Sequence, residues 1–279
     1  MTVREAKQHL IQELEAVTES PVFEANELLI AATGEDRGSL LFEPDKKLGT
    51  GQKLALELSL VRRKRGVPLQ YILKEWEFYS ITLRVGAGVL IPRAETELLV
   101  DLALEELSGG EHTTVFDLCA GSGAVGIAVA RHCPEATVTL VEKSRRAFRY
   151  LRHNCQKNGV TAETVRADIA RWRPKQKADL ILCNPPYITA DEMKALQREV
   201  RREPTMALYG GRDGLRFYRL LCERAALLLR DGGRLLVEIG CDQAETVCGL
   251  LYNAGFQSIE TTQDLSGKDR VVSATLTIS

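Results

Sequence analysis

Two stretches of the 279-residue chain join residue types that contribute little to packing and much to chemistry. The first is Asn184-Pro185-Pro186-Tyr187, which closes the apolar run from Asp179 to Cys183. Two successive prolines fix two φ angles and delete two N–H donors, so the local carbonyls stay out as acceptors instead of entering a helix or a ladder. The Asn184 side-chain oxygen adds another acceptor. With the Pro185 carbonyl it can receive both hydrogens of a planar NH2 group, while Tyr187 can stack on the π-face of that group. An amide or exocyclic amine nitrogen has a delocalised lone pair and is a poor nucleophile. Two accepted hydrogen bonds favour its passage to a tetrahedral, more positive state in line with an electrophilic methyl. No strong base is required, because the proton can leave after attack. Methyl transfer to nitrogen is therefore the chemistry this quartet suits. Asn184, Pro185 and Tyr187 are the catalytic candidates, and Asn184, Pro185, Pro186 and Tyr187 the substrate-binding ones.

The second stretch runs from Asp117 through Cys119, Ala120, Gly121, Ser122 and Gly123 to Gly126, after a strand and into a helix. Glycines at such a turn let the backbone approach a ligand. Glu142 ends the next strand, where a partner for ribose hydroxyls belongs. Asp168 ends the third and can accept from an adenine amine, with Ile169 packing on the ring. Taken alone the glycine spacing fits a nicotinamide dinucleotide and S-adenosylmethionine equally well.

These residues need a scaffold that places them on one edge. Apolar residues recur with helical period over 3–17, and a second helix follows Ser20-Pro21, with Ser20 as the cap, and ends at Gly34. A third spans 52–66, its last turn carrying Arg62 to Arg65 where positive charge complements the helix dipole. The aromatic and β-branched segment 69–91 reads as a hairpin. A helix over 95–107 ends at Ser108-Gly109-Gly110. Strands at 114–118, 136–141, 161–167, 178–183 and 233–239 then alternate with helices starting at Gly123 and Arg145 and spanning 215–229 and 243–253. Two strands, 257–261 and 270–278, close the chain. Such alternation specifies an α/β fold with a mostly parallel sheet, whose ligands sit at the carboxyl ends of the strands. The expected partition is a helical bundle over 1–68, a hairpin connector over 69–92 and a catalytic domain over 93–279.

Composition narrows the function classes. Thirty-seven Lys and Arg against 38 Asp and Glu give a net charge of -1, which lacks the electrostatic footprint of a protein whose main task is gripping phosphates. Four histidines and seven cysteines show no paired metal-ligand spacing, so no metal site is expected and the cysteines read as reduced, mostly buried thiols. Charges throughout the first twenty residues leave no apolar signal core, and no later run is long enough to span a membrane. The expectation is a soluble, cytoplasmic monomer.

Several further segments carry a resemblance: Pro68 to Ile72, Val89 to Glu97, Asn184 to Ile188, Glu199 to Pro204, Gly210 to Leu215, Glu238 to Gly240 and Asp264 to Val272. With the glycine loop they make the chain similar to the PrmC/HemK family over nearly its whole length. That family consists of protein-(glutamine-N5) methyltransferases acting on peptide chain release factors. The resemblance implies a class I S-adenosylmethionine-dependent methyltransferase fold, Rossmann-like, with a mostly parallel sheet and an antiparallel terminal strand, preceded by a small helical bundle and a β-hairpin connector. It implies S-adenosylmethionine held by the loop from Cys119 to Gly123 and by Glu142, Asp168 and Ile169, with Asn184 touching cofactor and substrate, and S-adenosylhomocysteine as product. The implied substrate is the glutamine of the release factors' GGQ loop, with the helical domain as the docking surface and no direct nucleic-acid contact. Three positions depart from the family pattern: Cys119 replaces a glycine, Ala94 a proline, and Glu142 the commoner aspartate.

Arg93, Glu95 and Glu97 read either as a lid or hinge over the cofactor or as an interdomain salt bridge. Arg201, Arg202 and Glu203 read as a loop closing over the substrate. The competing functions are a nucleic-acid N-methyltransferase, which presents the same NH2 after base flipping, a dinucleotide-dependent oxidoreductase, in which the proline-rich quartet has no role, and a release-factor-binding scaffold without chemistry.

Overall fold

The computed structural model of the chain describes residues 1–109 and 113–278, so Gly110 and His112 lie outside the described residues. Two compact units form. One comprises Met1–Glu75 with Gln197–Arg202, the other Trp76–Leu196 with Glu203–Ser279.

The first unit is helical. In α1 (Val3–Leu14), Thr2 and Glu5 form a reciprocal capping box, and Val3, Ala6, Leu10 and Leu14 are buried along one face. In α2 (Pro21–Thr33) the proline occupies the first turn and Gly34 takes the left-handed cap at φ +72°. Ser20 makes no side-chain cap, so the fixed φ of Pro21 is what starts this helix. A short α3 (Arg37–Phe42), absent from the sequence reading, is capped by Asp36, which accepts from Ser39 N at 2.9 Å. α4 covers Thr50–Lys64 and α5 covers Leu69–Leu73. The α5 segment corrects the expected hairpin, because Pro68 caps a single helical turn that buries Leu69, Tyr71 and Ile72. Arg63 is buried in α4 and donates to both oxygens of Glu24, at 2.6 and 2.9 Å, and to Glu199 at 2.5 Å. This buried guanidinium, paired with two carboxylates, ties the short segment Gln197–Arg202 into the helical unit.

The hairpin is confined to β1 (Glu75–Phe78) and β2 (Ile81–Arg84). A 3₁₀ turn over Ala94–Thr96 leads into α6 (Glu97–Leu107). In the second unit β3 (Thr114–Leu118), β4 (Thr137–Val141), β5 (Glu163–Val165), β6 (Ala178–Cys183), β7 (Leu229–Glu238), β8 (Phe256–Gln263) and β9 (Asp269–Leu276) form one sheet of order β5-β4-β3-β6-β7-β9-β8. The pairs β3 with β4, β3 with β6, β4 with β5 and β6 with β7 are parallel, and β9 alone runs against its neighbours β7 and β8. Between the strands lie α7 (Ala124–His132), α8 (Arg145–Lys157), the single turns α9 (Glu192–Ala195) and α10 (Thr205–Leu208), α11 (Arg216–Leu228) and α12 (Ala244–Asn253).

Each sheet face has its own core. Leu99, Val115, Ile127, Leu140 and Leu151 cluster beneath α6, α7 and α8, and Phe116, Ile181, Tyr218, Leu228 and Phe256 beneath α11 and α12. Central strands buried on both faces explain the continuous apolar runs at 114–118 and 178–183. Strand order reverses at β3 and β6, and the crevice at their carboxyl ends is where ligands of such sheets bind.

Candidate active site

The turn after β3 is built from left-handed residues: Cys119, Gly121 and Gly123 have φ of +61°, +58° and +85°. Each glycine has a separate task. A Cβ on Gly121 would meet nothing nearer than the Cys119 carbonyl at 3.9 Å, so this residue presents bare backbone to open space. Gly123 is the residue preceding α7, where a Cβ would come within 2.7 Å of Ile127 Cδ1. At Gly126 a Cβ would strike Leu140 at 2.7 Å and Asp117 Oδ2 at 2.8 Å, so the glycine lets α7 lie close on the sheet. Asp117 accepts from Gly126 N at 2.9 Å, and burial raises its carboxyl to about 7. Cys119 holds the left-handed conformation that a glycine adopts without strain.

Glu142 directly follows β4, with its carboxylate fixed by backbone donors. Gly121 N reaches Oε2 at 2.9 Å and Ser144 N reaches Oε1 at 2.5 Å. A carboxylate offers about four acceptor sites, so two bonds to the backbone leave capacity for a diol. Burial raises its pKa against these N–H bonds, which lower it. Asp168 pairs with Lys143 at 2.8 Å and accepts from Ala170 N at 3.1 Å; the Lys143 bond holds its pKa low. Ile169 beside it is buried.

These groups share one cavity of about 430 Å³, within the range of about 300–1,000 Å³ usual for small-molecule sites. Of the sequence-derived candidates, Cys119, Ala120, Gly121, Ser122, Glu142, Asp168, Ile169, Asn184 and Pro186 line it. Gly123, Pro185 and Tyr187 are not among its lining residues.

The proline quartet leaves β6 beside this cavity. Asn184 Nδ2 donates to Thr96 Oγ1 at 3.0 Å, and Thr96 Oγ1 donates to Glu238 Oε2 at 2.7 Å. Tyr187 Oη reaches Glu238 Oε1 at 3.4 Å. Its hydroxyl thus faces the end of β7, and burial raises its pKa. Behind the quartet a Cβ on Gly210 would approach Tyr187 Cα at 2.6 Å and the Pro186 carbonyl oxygen at 2.7 Å. Gly214, at φ +76°, packs as closely on the Tyr187 carbonyl. Gln243 Nε2 donates to that same carbonyl at 3.2 Å.

Thr96, Gly210 and Glu238 were outside the sequence-derived site. Their segments carried the family resemblance, but a threonine between two glutamates reads as a helix start, and a strand-terminal glutamate has no spacing that ties it to Asn184. Arg93 lines the cavity and pairs with buried Glu203, which also accepts from Ile91 N at 2.9 Å. That pair lies inside the second unit, so it is no interdomain bridge. Glu97 accepts from Tyr79 N at 2.8 Å, and Glu95 is exposed. Arg201 and Arg202 belong to the helical unit, where Arg202 donates to the Arg65 carbonyl at 3.0 Å. Seven free thiols are present, but only Cys155 and Cys183 are buried, while Cys241 is exposed.

Residues 94–212 match the methyltransferase small domain, and residues 5–73 match the PrmC N-terminal domain. Over 255 residues the chain is 40% identical to the release factor glutamine methyltransferase of Geobacter sulfurreducens, covering 91% of this chain and 89% of that protein. It is 34% identical over 275 residues to the protein of the same name from Coxiella burnetii, covering 98% and 99%. Among solved structures, the 16S rRNA N2 G1207 methyltransferase of T. thermophilus aligns at a TM-score of 0.53 and 21% identity, over 72% of this chain and 49% of that one. A methyltransferase from Pyrococcus furiosus aligns at 0.52 and 14%, over 82% and 100%. These two likenesses concern the fold.

Proposed function

The chain belongs to the release factor glutamine methyltransferase family, and from that premise we propose that it methylates the side-chain nitrogen of the glutamine in the GGQ loop of peptide chain release factors. The donor set of the cavity fits S-adenosylmethionine. Glu142 would hold the ribose diol, Asp168 the adenine amine and Ile169 the ring, with the Gly121 backbone alongside. When bound, the cofactor supplies a methyl group on a positively charged sulfur and leaves as S-adenosylhomocysteine.

The observation that carries the acceptor assignment is the Asn184 side chain. One of its two amide hydrogens goes to Thr96, which orients the amide and offers its carbonyl oxygen, an acceptor, to the substrate. An acceptor there, paired with the Pro185 carbonyl, fits a group with two hydrogens on nitrogen. Both bonds polarise the N–H groups as the nitrogen becomes tetrahedral, which favours attack. The half-buried Tyr187 hydroxyl is held off the base role by its raised pKa, consistent with proton loss after transfer.

Docking of the release factor belongs to the helical unit. Leu54, Leu58 and Val61 stand exposed at helical spacing on α4, an apolar stripe suited to a protein partner. No described helix is long and apolar enough to cross a membrane. The proposed setting is the cytoplasm, with the protein a monomer acting where release factors work and making no direct nucleic-acid contact. Arg145, Arg146, Arg149 and Arg152 nonetheless occupy the exposed face of α8, and rRNA therefore belongs among the acceptors tested. The test is transfer from labelled S-adenosylmethionine to a purified release factor, to the same factor with its GGQ glutamine replaced by alanine, to duplex DNA and to rRNA. Label is expected in the intact factor alone. Label in nucleic acid alone would overturn the substrate assignment.

A further inference from the structure

An amide side chain has one donating and one accepting end, and the two are sterically alike. What presents the oxygen of Asn184, and not its NH2, to an incoming amide must therefore be a hydrogen-bond partner that accepts only. Thr96 Oγ1 is that partner at 3.0 Å, yet a threonine hydroxyl can donate as readily as accept. Its polarity is settled one bond further on. The Thr96 hydrogen goes to Glu238 Oε2 at 2.7 Å, and a carboxylate is an acceptor only. Thr96 and Glu238 are 4% and 2% exposed, so water is not at hand to reverse the order.

We propose that Thr96 and Glu238 are positioning residues for the reaction: the Glu238 carboxylate fixes the Thr96 hydroxyl as a donor, the Thr96 oxygen then accepts from Asn184 Nδ2, and Asn184 Oδ1 is thereby aimed at the substrate NH2. The inference deepens the methyl-transfer reading and rests on it. The chain of bonds joins the residue before α6, the end of β6 and the end of β7, three elements that converge at the switch point.

The relay has a polarity that protonation can reverse. A neutral Glu238 can donate to Thr96 Oγ1, which frees the Thr96 hydrogen to point at Asn184 and rewards the flipped amide. The flipped NH2 then faces the substrate NH2, donor against donor. The groups facing Glu238 are Thr96 and exposed Glu95 from the turn before α6, Tyr187 and Cys183 from the end of β6, Arg270 from β9, and Tyr218 of α11, whose hydroxyl reaches the Glu238 carbonyl at 3.1 Å. Burial is the largest influence and raises the carboxyl to about 7, against the lowering effects of Thr96, Arg270 and Tyr187. Above about pH 7 the group is ionised and the relay correctly poled, and the order is lost as pH falls through that value.

The experiment compares the full-length enzyme with Thr96→Val, Thr96→Ser and Glu238→Gln. Valine keeps the shape and removes the hydroxyl. The expected result for Thr96→Val is a kcat loss of at least about tenfold with S-adenosylmethionine affinity changed by less than about twofold. Serine restores the hydroxyl and is expected to restore kcat to within about threefold. The wild-type kcat should rise with pH through about 7, and that limb should vanish in Thr96→Val and in Glu238→Gln. A structural role alone would not erase the limb. A limb that survives in Thr96→Val, a kcat retained by it, or a serine variant no better than valine each overturns the proposal.

A readout without substrate separates this from failure of the methyl-transfer reading. The Asn184 side-chain NH2 resonances, assigned through Asn184→Asp, should shift with pH about 7 in the wild type and not in Thr96→Val. Invariant resonances in the wild type would sink the relay whatever the acceptor proves to be.

Discussion

Cys119 sits at φ +61°, where an L side chain crowds the following carbonyl at a cost of about 1–2 kcal/mol. The backbone shape is what this loop needs, since Gly121 N must reach Glu142. Cys119→Gly should keep cofactor affinity and change stability by no more than about 1 kcal/mol, because relief of strain is offset by a freer unfolded chain. Cys119→Val, β-branched in the same conformation, should lose at least about tenfold in affinity and about 2 kcal/mol of stability. Calorimetric titration with S-adenosylmethionine and urea unfolding read both. Equal affinities for valine and glycine would show that the left-handed turn is unimportant to binding. At this scale the sequence exposes contiguous signals well: the loop from Cys119 to Ser122, Glu142, Asp168 and Asn184 all reach one cavity. It hides partners that only tertiary structure joins. Thr96 and Glu238 are 142 positions apart, and neither is unusual for its local segment.

Among the elements, the loop after β6 owes its shape to what stands behind it. Gly210 N donates to the Ile188 carbonyl at 2.9 Å and Ile188 N to the Leu208 carbonyl at 2.9 Å, which brings Gly210 flat against the proline quartet. A methyl there meets backbone, which cannot swing aside as a side chain can. Gly210→Ala should therefore displace Pro186 and Tyr187 and lower kcat by about a hundredfold, given the sensitivity of such sites to shifts near 1 Å, while S-adenosylmethionine still binds. Full activity of this variant in the transfer assay would mean that the quartet tolerates movement. The element pattern itself was legible wherever periodicity is strong, as in α1 and the central strands β3 and β6. It failed at 69–73, where β-branched and aromatic composition suggested a strand. Pro68 and the burial of Leu69, Tyr71 and Ile72 stabilise a helical turn there instead, a tertiary override of local preference.

For the molecule as a whole, alternation of strands and helices after residue 113 foretold the layered sheet and the place of its ligand crevice. The partition into units was less visible. Gln197–Arg202 returns to the helical unit through Glu199, which shares the Arg63 guanidinium with Glu24, and no composition shift marks that excursion. Net charge near zero likewise averages over an arginine-bearing face on α8. A cavity lined by Glu142, Asp168 and Asn184, with the proposed acceptor pair at Asn184 and Pro185, predicts a single product. Fragment mass spectrometry of a release factor incubated with the enzyme and S-adenosylmethionine tests it most directly. A single added methyl is expected on the side-chain nitrogen of the GGQ glutamine. A methyl on the backbone, on any other side chain or on none would contradict it.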